Sequence, residues 1–184
     1  VLQTLKNLNR EENTLVILTS DNGPWINYGN HAGSTGGLRE AKGTTFEGGN
    51  RVPFIAYWKG KIEAGTVCNR MASNIDILPT LADISNAPLS QNKIDGVSLL
   101  SLMKGDMEMI PHQYFFYYYR INDLEAVTDG TYKLIFPHKH RTYSLFPPGN
   151  GGKPGEVKED FELKEPQLYD LRRDAGECYN IINE

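Results

Sequence analysis

The chain has 184 residues, 39% apolar and 23% charged, which is the composition of a globular protein and excludes a disordered one. Its 19 basic and 23 acidic residues give a formal net charge of −4 and are spread along the sequence, so the basic patch of a nucleic-acid-binding protein is absent. No apolar run is long enough to span a bilayer. Because the sequence begins at Val1 without a signal peptide, we expect a mature or truncated piece of a longer protein.

The first half of the chain has the pattern of an α/β domain. Residues 1–12 carry Leu at three-residue intervals, which predicts the end of an amphipathic helix. The apolar run at 14–20 predicts a strand buried on both faces, as in a parallel sheet flanked by helices, and 52–58 predicts a second strand. Between them, residues 21–50 are rich in Gly, Asn and Ser. A loop of that length in a compact domain is commonly functional.

Two helices are predicted next. Residues 75–86 have apolar side chains on one face, with Asp76 as a cap and Pro79 tolerable in the first turn. Residues 97–104 predict a short helix that ends at Gly105.

The pattern then changes to aromatic-rich runs and period-two alternation. Strands are predicted at 113–119, 124–128, 131–136 and 167–171. Asp129-Gly130 predicts a hairpin turn, and 147–160, rich in Pro, Gly and charge, predicts a flexible excursion. We therefore expect residues 1–105 to form the end of an α/β domain and 106–184 a small antiparallel subdomain.

Several isolated residues have a plain structural interpretation. Cys68 and Cys178 lie far apart in sequence, so a disulfide stays open but unpaired thiols are favoured. We expect the last three histidines to be surface residues, and the aromatic run at 114–119 to be a packed strand. These histidines are His112, His138 and His140.

The strongest chemical signal follows the first strand. Asp21 and Asn22 stand where ligands bind in open α/β sheets, outside the carboxyl end of a strand. A carboxylate and an amide oxygen are hard ligands suited to Ca²⁺ or Mg²⁺. Taken alone, however, Asp-Asn-Gly is a good turn sequence, and a turn without a ligand is the favoured interpretation.

Longer motifs place this turn in a family context. Residues 37–53, which read GLREAKGTTFEGGNRVP, closely resemble the type I sulfatase signature around G-K-G-T-x-x-E-G-G-x-R-x-P. The resemblance is to the arylsulfatase A and N-acetylgalactosamine-6-sulfatase group, and it covers nearly the whole chain in family order. Its other segments are SDNGP at 20–24, NIDILPTL at 74–81, DG at 95–96, TDGTYKL at 128–134, LYDL at 168–171 and DAGE at 174–177.

The resemblance implies a role for individual residues. Asp21 and Asn22 match family ligands of the active-site cation, usually Ca²⁺, and Lys42 matches the lysine that contacts the sulfate ester. His31 lies in the same loop and is a candidate for lining the substrate pocket. We expect the residues of the EGGxR segment to hold the loop rather than react: paired glycines for backbone angles closed to other residues, and an arginine paired with a carboxylate. They are Glu47, Gly48, Gly49 and Arg51.

The resemblance also implies the fold and the cofactors. The expected fold is the C-terminal part of the alkaline-phosphatase-like α/β fold with a small antiparallel sheet and helix. Family enzymes use a formylglycine made from C/S-x-P/A-x-R, and neither Cys68 nor Cys178 stands in that motif. The nucleophile and the remaining metal ligands are thus expected upstream, and this chain alone is expected to be inactive and to bind Ca²⁺ weakly.

Partners and alternatives follow from the same comparison. The expected substrate is a sulfated small molecule or carbohydrate, and the family implies a periplasmic, secreted or lysosomal compartment. An unpaired strand edge would favour homo-oligomers. Two other interpretations stay open: a phosphoester or phosphonate hydrolase on the same fold, and a non-catalytic module that binds sulfated glycan or a protein.

Overall fold

The computed structural model describes all residues from 1 to 184 and divides them into two compact units that alternate along the chain. The first unit holds residues 1–19 and 53–113, and the second holds residues 20–52 and 114–184. The sequence predicted consecutive domains with a boundary at residue 105. That boundary stays a prediction, because compact units of one structure do not define domains.

The first unit contains three α-helices, two short 3-10 turns and one pair of strands. In chain order its elements are α1 (Leu2–Asn7), a 3-10 turn (Glu11–Asn13), β1 (Val16–Thr19), β2 (Phe54–Tyr57), a 3-10 turn (Asn74–Asp76), α3 (Ile77–Ser85) and α4 (Leu100–Met103). The helices and strands predicted from the sequence are all present here, with shorter bounds.

The 3-10 turn Asn74–Asp76 and the helix α3 that follows it show how local sequence sets local structure. The Ser73 backbone N–H donates to the Asp76 carboxylate over 2.8 Å, one half of a capping box. Pro79 lies in the first turn, where its missing N–H leaves no hydrogen bond unmade. The helix ends at Asn86, which has the left-handed conformation typical of a helix C-terminus.

The first strand differs from its prediction. β1 pairs antiparallel with β2 in a two-stranded sheet, and Val16 lies opposite Tyr57. The Leu18 side chain is 60% exposed, and so is that of Ile55. The expectation of a strand buried on both faces of a parallel sheet is therefore wrong for this structure. A continuous apolar run reports that a strand tends to be buried, but burial also needs packing elements on both faces.

The second unit is built from β-structure. Its elements are a 3-10 segment (Ile26–His31), α2 (Glu47–Asn50), β3 (Phe115–Tyr119), β4 (Asp123–Thr128), β5 (Tyr132–Ile135), β6 (His138–Thr142), β7 (Lys158–Leu163) and β8 (Gln167–Asp170). One antiparallel sheet has the order β3-β4-β5-β8, and β6 and β7 form a separate antiparallel pair.

The hairpin between β4 and β5 follows its predicted turn. The Asp129 carboxylate accepts hydrogen bonds from the backbone N–H groups of Thr131 and Tyr132 at 2.8 and 2.7 Å. Gly130 has φ of +85°, a conformation that a residue with Cβ rarely adopts. The sequence thus fixes this turn through one carboxylate and one glycine.

A hydrophobic core occupies the inner face of the four-stranded sheet. Phe46, from the loop before α2, is fully buried against side chains of β4, β5, β7, β8 and the following turn: Ala126, Ile135, Leu163, Tyr169 and Leu171. Alternate residues of β3 point outwards, so the aromatic run is packed on one face only. Every helix is too short or too polar to span a lipid bilayer.

Candidate functional site

The Asp21-Asn22 turn opens the second unit. Asp21 is exposed and Asn22 is half-buried. Neither side chain has a hydrogen-bond or ion-pair partner, whereas the Asn22 backbone carbonyl accepts from the Ser20 hydroxyl at 2.9 Å. The turn is therefore held through its backbone, which leaves a carboxylate and an amide oxygen unpaired.

Gly23 fixes this turn against α2. Its N–H donates to the carbonyl of Gly49 at 2.8 Å. A Cβ added at Gly23 would lie 1.9 Å from the carbonyl oxygen of Gly48, far closer than van der Waals contact. Only glycine allows the two backbones to approach so closely.

The backbone N–H and the backbone carbonyl of Lys42 both make hydrogen bonds. Its N–H donates to the Pro24 carbonyl at 3.0 Å, and its carbonyl accepts from the Tyr143 hydroxyl at 2.5 Å. Tyr143 in turn donates its backbone N–H to the Glu40 carboxylate at 2.9 Å. The Lys42 ammonium makes no ion pair and lies over the ring of Trp25, 5.6 Å from the ring centroid. The loop with Lys42 and the segment after Asp21-Asn22 are thus joined directly.

His31 lies elsewhere in the same loop. It is the last residue of the 3-10 segment, its side chain is exposed, and its ring lies near Gly152, about 3.9 Å from where a Cβ there would stand. It makes no hydrogen bond with Asp21, Asn22 or Lys42. Its predicted place in a substrate pocket stays a prediction.

The paired glycines serve a different purpose from the one predicted. Gly48 and Gly49 lie in α2, and neither has positive φ, so the expectation of unusual backbone angles is wrong. Glycine is needed at both positions because neighbouring backbone atoms leave no room for a Cβ. A Cβ at Gly48 would stand 2.2 Å from the Glu40 carbonyl oxygen, and one at Gly49 would stand 2.3 Å from that of Thr44.

A buried network of charges holds the segment that follows Lys42. Arg51 Nε is 2.6 Å from Glu47 Oε2, so these two residues do pair, as expected. The Lys133 ammonium, from β5, lies 3.0 Å from the carboxylates of both Glu47 and Glu177. Lys133 also donates to the Thr45 carbonyl at 2.7 Å, and Glu177 accepts the Glu47 N–H at 2.8 Å.

The pKa values of the two carboxyl groups in this network are shifted in opposite directions. For Glu47, burial favours the neutral form, but the positive charges of Lys133 and Arg51 outweigh it and hold the pKa below its usual value. For Glu177, burial outweighs the attraction of Lys133 and raises the pKa. Both side chains are almost fully buried, so the network is structural rather than open to a ligand.

The histidines were predicted wrongly. His112 is paired with the buried Asp76 at 2.9 Å within the first unit. In the second unit, His138 lies 3.3 Å from the buried carboxylate of Glu125. His140 is 4% exposed and packs edge-on against Phe46, and burial lowers its pKa. All three were expected at the surface because they lie outside the segments that resemble the family.

Sequence reasoning assigned no role to several residues that hold the loop. Lys133 and Glu177 lie in segments that carried the family resemblance, TDGTYKL and DAGE, so a signal for them existed. Glu40 also lies in such a segment, at 37–53, whereas Tyr143 and Trp25 had no such signal. Their roles depend on which strands the fold brings beside Lys42.

The metal-ligating capacity of the chain is limited. No group of three or more His, Cys, Asp or Glu side chains is arranged to hold a metal ion. Ca²⁺ in proteins takes six to eight oxygen ligands. The unpaired oxygens of Asp21 and Asn22 fit such an ion as two members of a larger set. Cys68 and Cys178 are both free and exposed.

Comparison with known proteins gives consistent results. The family model described as Sulfatase matches residues 1–87. The chain is 39% identical to arylsulfatase A of Bos taurus over 92% of its own length and 34% of that protein. It is 38% identical to N-acetylgalactosamine-6-sulfatase of Mus musculus over 98% of its length and 36% of that protein. The chain thus spans about one third of these relatives.

Solved structures agree. A sulfatase from Pseudoalteromonas sp. superposes with a TM-score of 0.79 at 28% identity, covering 98% of this chain and 35% of the other. A sulfatase from Bacteroides thetaiotaomicron, solved in work on the metabolism of multiple glycosaminoglycans, gives 0.70 at 29% identity, covering 98% and 37%. The resemblance read from the motifs and the expected fold class are confirmed.

Proposed function

We propose that this chain belongs to the sulfatase family, whose members it resembles, and that it supplies part of the metal and sulfate site of a sulfuric ester hydrolase. Asp21, Asn22 and Lys42 are the residues that carry this role. The formylglycine nucleophile and the other metal ligands would come from a part of the protein outside these 184 residues.

The supporting observation is the arrangement of unpaired polar groups on a rigid backbone. Two backbone hydrogen bonds, from Gly23 to Gly49 and from Lys42 to Pro24, join the segments that carry these three side chains. The side chains themselves have no ionic partner. Free charged groups on a fixed frame cost little reorganisation when a charged ligand binds, which is what electrostatic catalysis requires.

The chemistry follows from where charge develops. As the S–O bond of a sulfate ester breaks, negative charge grows on the leaving oxygen and on the sulfate oxygens. The Lys42 ammonium can stabilise that charge in a site from which water is excluded. With Ca²⁺ bound, Asp21 and Asn22 would supply two of its oxygen ligands, and the ion would neutralise further charge on the sulfate.

The test is substitution of Lys42 in the full-length enzyme. Lys42→Met should lower kcat/KM for 4-nitrophenyl sulfate by about 10²–10³, the cost of removing one stabilising group for developing charge. Lys139→Met, which removes an exposed lysine of β6, is the matched control and should leave the rate unchanged. A change of less than threefold for Lys42→Met would remove this lysine from the mechanism.

The same assay separates the alternative functions. A sulfatase should hydrolyse 4-nitrophenyl sulfate far faster than 4-nitrophenyl phosphate, and the reverse preference would identify a phosphoester hydrolase. A full-length protein without C/S-x-P/A-x-R, inactive on both esters, would be the non-catalytic module. We also propose that the natural substrate is a sulfated small molecule or carbohydrate and that the enzyme works in a periplasmic, secreted or lysosomal compartment.

A further inference from the structure

An aromatic side chain stands beside the proposed sulfate contact. Trp25 follows Pro24, whose carbonyl accepts the Lys42 N–H, so the two residues are fixed relative to each other by one backbone hydrogen bond. The Lys42 ammonium lies over the indole, 5.6 Å from the ring centroid. Trp25 nevertheless remains 44% exposed. Tryptophan is highly buried on average, whereas this indole is partly exposed beside an ammonium group that has no ionic partner.

The contact with Lys42 does not by itself explain the tryptophan. An exposed cation–π pair stabilises a protein only weakly, and the separation here is close to the ~6 Å limit of that interaction. Tyr28 also contacts the indole and packs edge-on against it, with ring centroids 5.1 Å apart and an angle of 66° between the ring planes. The ring is therefore positioned and yet left open to solvent.

We infer that Trp25 is a binding platform for the ring of the substrate, taking the flat face of a pyranose or aryl group while Lys42 contacts the sulfate attached to it. This inference rests on the proposed function and adds the part of the substrate that the indole recognises. A sulfate monoester of a ring has one anionic end and one flat, weakly polar face. An ammonium group with an exposed indole beside it matches both. Aromatic side chains supply much of the apolar contact in small-molecule sites.

The platform makes a specific kinetic prediction for the full-length enzyme. Trp25→Ala should raise KM for ring-bearing sulfate esters roughly tenfold, because the contact between ring and indole is lost, and should leave kcat within about threefold. The inhibition constant of inorganic sulfate should not change, because free sulfate has no ring. Trp25→Phe should restore most of the KM, which also covers the case in which the alanine variant folds poorly.

Two substrates separate the two kinds of ring. KM is measured for 4-nitrophenyl sulfate and for a hexose 6-sulfate; an effect on one alone identifies the ring that Trp25 binds, and an effect on both identifies a general platform. Tyr179→Ala is the control, because it removes another exposed aromatic of the same unit, 76% exposed, and should leave all constants unchanged.

The outcomes distinguish this inference from the function on which it rests. If Trp25→Ala changes no constant, the indole is not a ring platform. If it weakens the binding of inorganic sulfate as much as that of the esters, the indole is again not a ring platform and acts only by positioning Lys42. If the unsubstituted enzyme hydrolyses neither ester and does not bind sulfate, the proposed function itself fails, and the platform fails with it. Loss of sulfate inhibition in Lys42→Met alone supports the function without depending on Trp25.

Discussion

Two sets of charged side chains lie within residues 21–51, and the fold gives them opposite environments. Glu47 is buried, its carboxylate is paired with Lys133 and Arg51, and its own backbone N–H donates to Glu177. Asp21 and Lys42, by contrast, have no ionic partner. Burying a charge is costly unless it is paired, so the first set must be satisfied inside the protein. The second set is left free, and free charge on a fixed backbone is available to a ligand.

The comparison separates structural from functional charge more clearly than residue type does. Lys42 and Lys133 are the same amino acid, and both lie in segments that resemble the sulfatase family. Lys133 is fully buried between two carboxylates, and Lys42 is half-buried beside an indole. Substitutions in the two sets should therefore differ in what they damage: stability in one case and activity in the other.

The largest effect is expected for Lys133→Met. The change removes the only ammonium that lies between Glu47 and Glu177, and leaves two carboxylates buried close together. Breaking a buried ion pair costs about 3–5 kcal/mol in the free energy of unfolding, measurable by urea denaturation. Lys139→Met, on the surface, should change it by less than about 0.5 kcal/mol. A cost below about 1 kcal/mol for Lys133→Met would mean that the network is not a structural element.

A smaller effect is expected for Gly23→Ala. The new methyl group would meet the carbonyl of Gly48, which is backbone and cannot move aside as a side chain can. Forcing atoms into filled space costs about 1–3 kcal/mol, which should appear as a lower Tm in thermal unfolding. Gly33→Ala is the control, because its methyl group would meet only the Pro24 side chain, at 3.3 Å. Equal Tm values for the two variants would contradict the close approach.

The buried His140 should make the free energy of unfolding depend on pH. Burial lowers the pKa of His140, so the unfolded chain binds this proton more readily than the folded one. The stability contributed by neutral His140 is therefore present above the ordinary histidine pKa and is lost as pH falls through the lower folded value. One proton contributes a slope of at most about 1.4 kcal/mol per pH unit.

His140→Phe should flatten that acid-side slope, because the ring is kept and the titrating nitrogen is removed. Unfolding free energies between pH 8 and pH 5 give the measurement, and His31→Phe, at an exposed position, should not alter the slope. An unchanged slope in His140→Phe would show that another group controls acid sensitivity.

The smallest effect on stability is expected for the residues whose substitution should lower activity most. Lys42→Met and Asp21→Asn remove charges without a partner, so each should change the unfolding free energy by less than about 0.5 kcal/mol. Urea denaturation beside the Lys133→Met measurement gives the direct contrast between two Lys→Met changes. Destabilisation of several kcal/mol by Lys42→Met would place Lys42 in the structural set instead.

The fold was predictable from sequence where local interactions decide it. The 3-10 turn that leads into the helix at Ile77–Ser85 begins with a capping box, and the β4–β5 hairpin turns on Asp129-Gly130. Both signals lie within a few residues of the structure that they determine. Strands β6 and β7 were missed. They are rich in charged residues and have no clear alternation of apolar and polar side chains, so they are strands because they pair with each other across 15 intervening residues.

The sequence by itself indicated the resemblance to sulfatases, the local turns and caps, and the candidate residues Asp21, Asn22 and Lys42, because short motifs carry that information in chain order. Only the tertiary structure decided which charges are buried. Lys133 reaches Glu47 and Glu177 from distant parts of the chain, and the burial of His138 and His140 depends on a β-pair that no local pattern indicated. Burial and ion pairing are properties of a site in space, and a residue's neighbours in sequence do not specify them.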